Sequence, residues 1–362
     1  KDMLMSLQLP SYMGTSGNAS SALAAPMGNY GDIENKGWEI SLNTHPLIGA
    51  FEWDSDFQIS FNRNKLRALD GTANAQIVGY GQWSDVVSVT NVGESLYNFY
   101  GYVCDGVYED LEDLQTSAKP AKYPADGVFN RTNTVWVGDI KYKDLNGDGV
   151  IDENDRTNIG SPLPKFTFGW TNTFRYKNFD LSLFINGSYG NKVFNYLGMK
   201  LTHMNSPWSN QLNTVLDRAQ IVPIDPNKDY SAGVVVNGVT IYNWYDDITN
   251  VRVANAGATI PRASIQDPND NDRISDRYIE DGSYIRLKNI TLGYTFPGKI
   301  IKKWGLDNLR VYANIQNLLT ITGYSGYDPE IGASTASANV YGLDNGRYPS
   351  PTVYSFGLNV SF

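Results

Sequence analysis

The sequence predicts an all-β protein, an antiparallel β-barrel segment that spans a membrane and carries long extracellular loops. The first observation is a period of two in the hydrophobic pattern over stretches of about ten residues, which predicts strands with one apolar face. The second is the order of the connections, in which short and long links alternate along the chain. Membrane barrels have short turns on one side and long loops on the other, whereas compact soluble domains rarely contain structureless loops of such length.

Eight strands are predicted, and residues 51–62 show their pattern most clearly. The predicted strands are residues 1–9, 36–44, 51–62, 165–176, 179–190, 284–296, 308–318 and 352–362. The apolar face is expected to contact lipid through Trp53, Phe57, Ile59, Phe168, Leu181 and Leu183. The alternate residues Glu52, Asp54, Gln58 and Asp180 are expected to face the barrel interior. In the wall of a membrane barrel, apolar side chains that face the lipid alternate along each strand with polar side chains that face the interior.

The connections between these strands fall into two classes of length. The short connections are THPLIGA, Lys177–Asn178 and PGKIIKKWGLD. The long connections are roughly residues 10–35, 63–164, 191–283 and 319–351. We expect the two longest, 63–164 and 191–283, to be extracellular loops. Because the strand number is even and the first strand is taken to run outward, Phe362 is expected at the periplasmic side.

Composition excludes several other classes of protein. Aromatic residues make up 13% of the 362 residues and glycines number 34, which favours strands and turns over helices. The net charge of −9 lacks the basic footprint of a nucleic-acid-binding protein. No run of eighteen apolar residues predicts a transmembrane helix. Cys104 is the only cysteine, so an internal disulfide is excluded.

The stretch DLNGDGVIDENDR has the spacing of a calcium-binding loop. Oxygen ligands are expected at positions 1, 3, 5, 7, 9 and 12 of such a loop, with glycine at position 6. The matching residues are Asp144, Asn146, Asp148, Val150 through its carbonyl, Asp152 and Asp155, with Gly149 at the turn. The flanking residues GDIKYK and TNIGSPLP do not predict helices, so we expect the ion to stiffen a loop. The alternative is an Asx-rich turn solvated by water.

The sequence contains no recognisable catalytic constellation, and we predict that the protein is not an enzyme. The histidines His45 and His203 lie in no zinc motif. The stretch GESLY lacks the second glycine of a nucleophile elbow, and the glycines form no phosphate-binding loop. Acidic pairs such as Asp246–Asp247 are better explained as solvated loop charge than as a glycosidase pair.

Aromatic residues in the long loops are candidates for contact with a substrate. They are Trp83, Trp136, Trp208 and the IYNWYDD stretch that holds Asn243, Trp244 and Tyr245. Aromatic faces beside Asp and Asn suit sugar rings and peptide side chains equally well. The alternative interpretation is that these residues pack the loops, since loops of this length need local cores of their own.

A family resemblance spans the whole chain. The matching pieces are GDIENKGWEISL, NFYGYVCDGVY, GDIKYKDLNGDGVIDENDR, IGSPLPKFTFGWTNTFRYKNFDLSLFINGSYG, DRYIEDGSYIRLKNITLGYTFP, NLRVYANIQNLLTITGYSGYDPE and the closing strand with its terminal Phe. In these the chain resembles the C-terminal part of SusC/RagA-type TonB-dependent outer-membrane transporters. The resemblance implies a 22-stranded barrel in the outer membrane of a Gram-negative bacterium, of which this segment supplies about eight strands.

The resemblance also implies partners and a function. It implies import of glycans or peptides driven by the TonB complex, with a SusD-like surface lipoprotein as the lid. It implies that a structural calcium ion is bound by Asp144, Asn146, Asp148, Asp152 and Asp155. No plug and no TonB box are recognised, so we expect this chain to be a segment of a longer one. The aromatic-ended last strand is implied to be an assembly signal at Phe362; the alternative is that Phe362 is an interfacial anchor.

The sequence leaves open two further functions that belong to other classes of protein. One is a self-contained eight-stranded barrel that acts as a receptor or adhesin, whose interior would be filled by side chains. The other is a secreted, calcium-dependent, sugar-binding β-sandwich. A plug and TonB box upstream would identify the transporter, and solubility without detergent would identify the sandwich.

Overall fold

The structure is a computed structural model that describes residues 3–6, 27–69, 75–82, 84–206, 208–333, 337 and 339–362. Within these ranges, no helix is both long enough and apolar enough to cross a membrane. The chain divides into two compact units. The sheet unit comprises Lys1–Asn98, Ser161–Val193 and Glu280–Phe362, and the insertion unit comprises Phe99–Gly160 and Phe194–Ile279.

The sheet unit is built on one eight-stranded antiparallel sheet. Its strands are β1 (Met3–Ser6), β2 (Met27–Leu47), β3 (Phe51–Leu69), β4 (Phe166–Tyr176), β5 (Phe179–Tyr189), β6 (Tyr284–Thr295), β7 (Asn308–Thr322) and β8 (Val353–Ser361). Each strand pairs with the next one in the sequence, so the sheet is a simple meander with β1 and β8 at its two edges. The predicted all-β barrel segment is confirmed as an antiparallel sheet that this chain alone does not close into a barrel.

The register of the sheet gathers the apolar positions onto one face. One row runs through directly paired residues on six successive strands: Leu42, Phe57, Trp170, Ile185, Leu287 and Leu319. A second row runs through Trp53, Phe174, Leu181, Leu292, Ala313 and Phe356. Because successive side chains alternate between faces, the two rows fix the same face on β3 to β7, the strands that both rows cross.

The opposite face of the sheet carries paired charges. Arg310 contacts Asp180 with Nε 3.1 Å from Oδ1, and Arg175 contacts Asp54 with Nη1 2.5 Å from Oδ2. Gly293 lies between the first two side chains, and a Cβ at that position would overlap both of them. Glycine at 293 therefore leaves room for the Arg310–Asp180 pair on the polar face.

The connections confirm the predicted alternation of short and long links. β4 and β5 are joined by Lys177 and Asn178, and Lys177 has φ of +54°, the left-handed conformation of a tight turn. Three strands are longer than predicted. β2 spans Met27–Leu47 instead of 36–44, β3 ends at Leu69 instead of 62, and β7 ends at Thr322 instead of 318. The added residues at the start of β2 and at the end of β3 include polar side chains at successive positions. Hydrophobic alternation alone therefore did not predict them as strand.

A buried ion-pair network ties the connection after β7 to β6. Arg286 is 2% exposed and its Nη2 lies 2.5 Å from Asp328 Oδ1, while its Nη1 lies 2.8 Å from Glu330 Oε2. Lys288 Nζ contacts the same Glu330 oxygen at 3.1 Å. Residues 328–330 are thus held against the polar face of the sheet unit.

The remaining elements are short. Short strands occupy Gln76–Tyr80, Val86–Asn91, Phe99–Gly101, Cys104–Val107, Lys119–Pro120, Ile140–Tyr142, Val150–Ile151, Thr157–Gly160, Lys192–Asn195, Ile221–Pro223, Val234–Val236, Val239–Ile241, Val251–Val253, Ile279–Asp281 and Leu343–Asp344. The α-helices are α1 (Leu111–Thr116), α2 (Tyr196–Leu201) and α3 (Gly298–Ile301). Single 3-10 turns occupy Glu153–Asp155, Asn213–Asp217, Trp244–Asp246, Ile248–Asn250, Asp276–Tyr278 and Lys302–Trp304.

The insertion unit has a hydrophobic core of its own. The core joins residues from both insertions, and its members include Tyr108, Leu114, Trp136, Ile140, Ile151, Ile248 and Val251. Burial of such side chains contributes roughly 1.5–3 kcal/mol each, which is enough to order long connections that contain little regular structure. The two longest connections of the sheet are therefore largely a folded unit and not structureless loops.

Candidate functional site

The predicted calcium loop folds back on itself through its own side chains. Asp144 accepts hydrogen bonds from the backbone N–H groups of Gly147 at 2.6 Å and Gly149 at 2.8 Å. Asn146 accepts from the N–H of Asp148 at 3.0 Å, and Asp148 accepts from the N–H of Val150 at 2.9 Å. Both glycines have φ near +80°, a conformation that glycine adopts without strain.

Asp155, at position 12, closes the loop. It is fully buried and accepts from the N–H of Leu145 at 2.8 Å and from the N–H of Asp152 at 2.8 Å. Asp152 in turn accepts from the N–H of Asn154 at 2.7 Å and begins the 3-10 turn Glu153–Asp155. The first and last ligand positions of the predicted loop are thereby joined within one hydrogen-bonded segment.

Two features of this loop fit a calcium ion: the chemistry of its ligand atoms and the closure of its backbone by Asp155. All side-chain donors are oxygen atoms, which are the ligands that calcium takes. The carboxylates lie along the loop as acceptors of N–H groups, and the part of the chain that the structure describes holds no group of three His, Cys, Asp or Glu side chains gathered for a metal. A carboxylate that accepts one N–H per oxygen keeps further lone pairs for an ion.

Neither histidine is placed for catalysis or for zinc. His45 Nδ1 lies 2.6 Å from Asp54 Oδ1 at the end of the sheet, and His203 Nδ1 lies against the Asp272 carboxylate in the insertion unit. Each ring therefore has a carboxylate partner. These single pairs contain neither the third ligand of a zinc site nor a nucleophile next to the ring.

The aromatic candidates are not brought together into one surface. Trp136 is 1% exposed and belongs to the core of the insertion unit, which matches the packing interpretation. Trp208 is 93% exposed, and Trp83 lies outside the described residues. Trp244 packs against the core beside Tyr245, with ring centroids 5.7 Å apart.

A cleft in the insertion unit adjoins the IYNWYDD stretch. We name it the amide cleft; its volume is about 240 Å³, and Asn130, Asn237, Asn243, Tyr242 and Asp246 are among the residues that line it. Arg131 also lines it and holds Asp246 through a 3.0 Å contact from Nε to Oδ1. The guanidinium of Arg131 lies 5.0 Å from the ring centroid of Tyr245. Amides, a carboxylate and aromatic edges are groups that hydrogen-bond and stack with polar, ring-bearing ligands.

Of the residues proposed from sequence, Asn243 lines this cleft, whereas Trp244 and Tyr245 are not among its lining residues. Asn130, Arg131 and Asn237 were missed, because they belong to separate stretches of polar loop with no motif of their own. Asn237 is the one position with a local signal, since the Asn237–Gly238 pair predicts a tight hairpin turn between Val234–Val236 and Val239–Ile241. That turn brings Asn237 beside residues 128–131.

Comparison of the sequence with known proteins gives similarity to TonB-dependent receptors. No protein-family model matches the chain. TonB-dependent receptor P3 of Formosa agariphila is 32% identical over 370 residues, a match that covers 100% of this chain and 31% of the receptor. TonB-dependent receptor SusC of Bacteroides thetaiotaomicron is 27% identical over 365 residues, covering 100% of this chain and 29% of SusC. The chain thus spans less than a third of the length of these curated relatives.

Comparison of the structure with solved structures gives the same fold. The RagAB peptide transporter matches with a TM-score of 0.63 and 19% sequence identity, covering 100% of this chain and 32% of that one. The RagAB peptide importer in its open-open state matches with a TM-score of 0.62 at 17% identity. At these identities the likeness concerns the fold alone.

Proposed function

This chain is homologous to a segment of the TonB-dependent receptors, and from that premise we propose that it forms part of the wall and outer loops of an outer-membrane nutrient importer. The observation that carries the proposal is the continuous apolar face of the eight-stranded sheet. Exposed apolar patches of this extent are unfavourable in water but are the natural outer surface of a barrel in lipid.

The edges of the sheet favour a large barrel over a self-contained one. β1 and β8 stand at opposite ends of the strand order, and the sheet has a single layer. An open strand edge in hydrocarbon leaves backbone groups without partners, so other strands must pair with both edges. A β-sandwich would instead cover the apolar face with a second sheet. The geometry therefore supports a segment of a many-stranded barrel.

For the substrate we favour oligosaccharides, delivered under a SusD-like lipoprotein lid and imported with energy from the TonB complex. The likeness to SusC supports the pairing with such a lipoprotein. The amide cleft supports a polar substrate, because its Asn and Asp groups match sugar hydroxyls in hydrogen-bonding capacity. Peptides are the second candidate, since the fold matches a transporter described as a peptide importer.

We also propose a structural calcium ion in the loop Asp144–Asp155 and a role for Phe362 in assembly. The ion would be held by Asp144, Asn146, Asp148, the Val150 carbonyl, Asp152 and Asp155, and it would stiffen this loop of the insertion unit. The donor chemistry and the closure of the loop by Asp155 support this site. Phe362 follows β8, and the family resemblance supports its role in recognition by the assembly machinery.

The test of the import function uses the complete gene in its native bacterium. Deletion of the gene should abolish growth on, and uptake of, one class of oligomer while uptake of monomers stays normal. Fluorescent oligosaccharides and oligopeptides are supplied separately, so that the substrate class is read directly. Normal uptake of both classes by the deletion strain would overturn the proposal, and loss of peptide uptake alone would select the second candidate.

A further inference from the structure

A second cavity of the insertion unit is lined by three arginines. We name it the arginine cavity; its volume is about 400 Å³, and its lining includes Arg131, Arg218, Arg262, Trp136 and Tyr245. The chain as a whole carries a net charge of −9, so a cavity lined by three positively charged guanidinium groups differs from the acidic balance of the rest of the chain. Such clustering is the usual means by which proteins recognise carboxylate and phosphate groups.

Two of the three arginine charges are already balanced by carboxylates. Arg262 donates from Nε to Asp139 Oδ1 at 2.7 Å, and Arg131 donates from Nε to Asp246 Oδ1 at 3.0 Å. Arg218 makes only a 3.4 Å contact from Nη1 to the Val215 carbonyl, and no carboxylate lies within ion-pair distance of it among the described residues. The cavity therefore has one positive charge in excess.

Trp136 supplies a donor that has no acceptor. The side chain is 1% exposed, and its indole Nε1 has no hydrogen-bond partner in the described part of the chain. A buried donor without an acceptor is unfavourable, because it has lost its hydrogen bond to water without gaining another. An oxygen atom of a ligand that reached this indole would supply that acceptor. The arginines alone do not provide this second, independent reason for a ligand.

We infer that the arginine cavity binds a carboxylate group of a singly charged ligand. Arg218 supplies the charge and the planar fork of donors, Trp136 supplies a further N–H, and the ring of Tyr245 offers a face for the body of the ligand. A dianion such as phosphate would exceed the single uncompensated charge. The carboxylate can come from a uronic acid in an oligosaccharide or from a peptide, and both sources present the same group.

The inference deepens the proposed import function by giving the substrate an acidic group, and its physiological meaning rests on that function. Binding itself is tested on the purified full-length receptor with its partner lipoprotein in detergent. Isothermal titration uses trigalacturonate, a tripeptide with a free carboxyl terminus, and their neutral counterparts maltotriose and the amidated tripeptide. We expect one acidic probe to bind and its neutral counterpart to bind at least tenfold more weakly.

The variant Arg218→Gln should lower the affinity for the acidic probe about 10- to 100-fold, since a charged hydrogen bond contributes about 1.5–3 kcal/mol. Arg252→Gln is the matched control, because Arg252 is exposed in the same unit and lies outside the cavity. Arg218→Lys keeps the charge without the fork and should give an intermediate affinity. Trp136→Phe keeps an aromatic ring but removes the indole N–H, and it should weaken binding of the acidic probe severalfold.

Equal affinities of the Arg218→Gln and Arg252→Gln proteins would overturn the inference, as would binding of neither acidic probe. If circular dichroism shows that Arg218→Gln does not fold, the affinities of the Arg218→Lys and Trp136→Phe proteins for the acidic probe decide whether the inference holds.

Uptake by cells distinguishes the inference about the arginine cavity from the proposed import function. Normal import with no acidic preference would refute only the arginine cavity, whereas acidic binding without any import would refute the proposed function.

Discussion

Asp139 is the centre of a buried polar network in the insertion unit. It is fully buried and accepts from Arg262 Nη2 at 3.2 Å, from the Trp136 N–H at 2.8 Å and from Asn271 Nδ2 at 3.2 Å. The bonds from Arg262 and Asn271 to Asp139 join the segments 136–139 and 262–271, and Asn271 also donates to Asp267. Removing one partner of a buried pair typically costs about 3–5 kcal/mol, because the other charge stays buried.

Asp267 should make this unit sensitive to acid pH. The pKa of its carboxyl is raised from 3.8 to about 6. Burial is the main cause, the hydrogen bonds from Asn271 oppose the rise, and the nearby Asp139 and Asp270 charges add to it. The folded form holds its proton up to about pH 6, whereas the unfolded form loses it near pH 4. Stability should therefore fall as pH rises from about 4 to 6, by at most about 3 kcal/mol, and then stay level.

Hydrogen exchange of residues 264–271, corrected for the intrinsic pH dependence, measures this local stability. The Asp267→Asn variant should lose the dependence between pH 4 and 6. A wild-type protection that increases over this range would show that the carboxyl is ionised in the folded protein.

At the scale of elements, the register of the large sheet decides which substitutions are tolerated. Ile59 pairs with Ile40 and Phe168 on the apolar face, while its neighbour Ser60 pairs with Glu39 and Thr167 on the polar face. Adjacent residues on one strand thus have opposite environments. A shift of one residue in register would exchange the two faces entirely, so the hydrophobic pattern and the pairing must agree.

Ile59→Arg should therefore reduce insertion of the protein much more than Ser60→Arg. A charge on the lipid face near the middle of the membrane costs about 2–4 kcal/mol, whereas the same charge facing the interior is tolerated. Surface labelling of cells with an antibody against an extracellular tag measures the inserted amount. Equal loss in the two variants would contradict either the register or the membrane environment.

The calcium loop should behave as an element that is stabilised independently of the sheet. In the presence of calcium, Asp144→Ala combined with Asp148→Ala should increase hydrogen exchange over residues 140–160 and leave β3 and β4 protected. The reason is that the loop packs within the insertion unit, while the strands are held by their own hydrogen bonds. A chelator should have the same effect on the wild-type protein.

Asp229→Ala is the control for this experiment, because Asp229 also accepts a backbone N–H, from Ser231 at 2.8 Å, in an ordinary turn. Because this variant keeps Asp144 and Asp148, its exchange over residues 140–160 should respond to calcium and to the chelator as that of the wild type does. If the chelator leaves residues 140–160 of the wild type unchanged, the loop is an Asx-rich turn without a metal.

At the scale of the whole molecule, the two rims of the sheet differ. The short turns lie at one end of the antiparallel strands, and the long connections, including both insertions, leave from the other end. Tyr176 precedes the Lys177–Asn178 turn and is 47% exposed, and Phe362 follows β8 at the same end with 88% exposure. Aromatic residues at such a rim suit the boundary between lipid and water.

Substitutions of Tyr176 and Phe362 distinguish the two roles proposed for Phe362. If Phe362 is an assembly signal, Phe362→Ala should lower the inserted amount in cells severalfold, while Tyr176→Ala should have little effect. If Phe362 is only an anchor, the two variants should show the same small loss of stability and near-normal insertion. We expect the first result, and quantitative blotting of outer-membrane fractions measures it.

The sequence by itself determined the strands of the sheet, their order and their apolar face. Alternation in residues such as Trp53, Phe57 and Ile59 is a local property, and the Lys177–Asn178 turn fixes the neighbouring register, so both can be read along the chain. The calcium-loop spacing was equally readable, because its candidate ligands are close in sequence.

Only the tertiary structure decided what the two long insertions become. Arg131, Arg218 and Arg262 meet at one cavity although more than forty residues separate each from the next, and none lies in a motif. Trp136, proposed from sequence as a substrate contact on the surface, is placed by packing in the core, with an unpartnered indole at that cavity. Side chains from separate irregular segments meet through the packing of a shared core, and neither periodicity nor spacing along the chain encodes that packing.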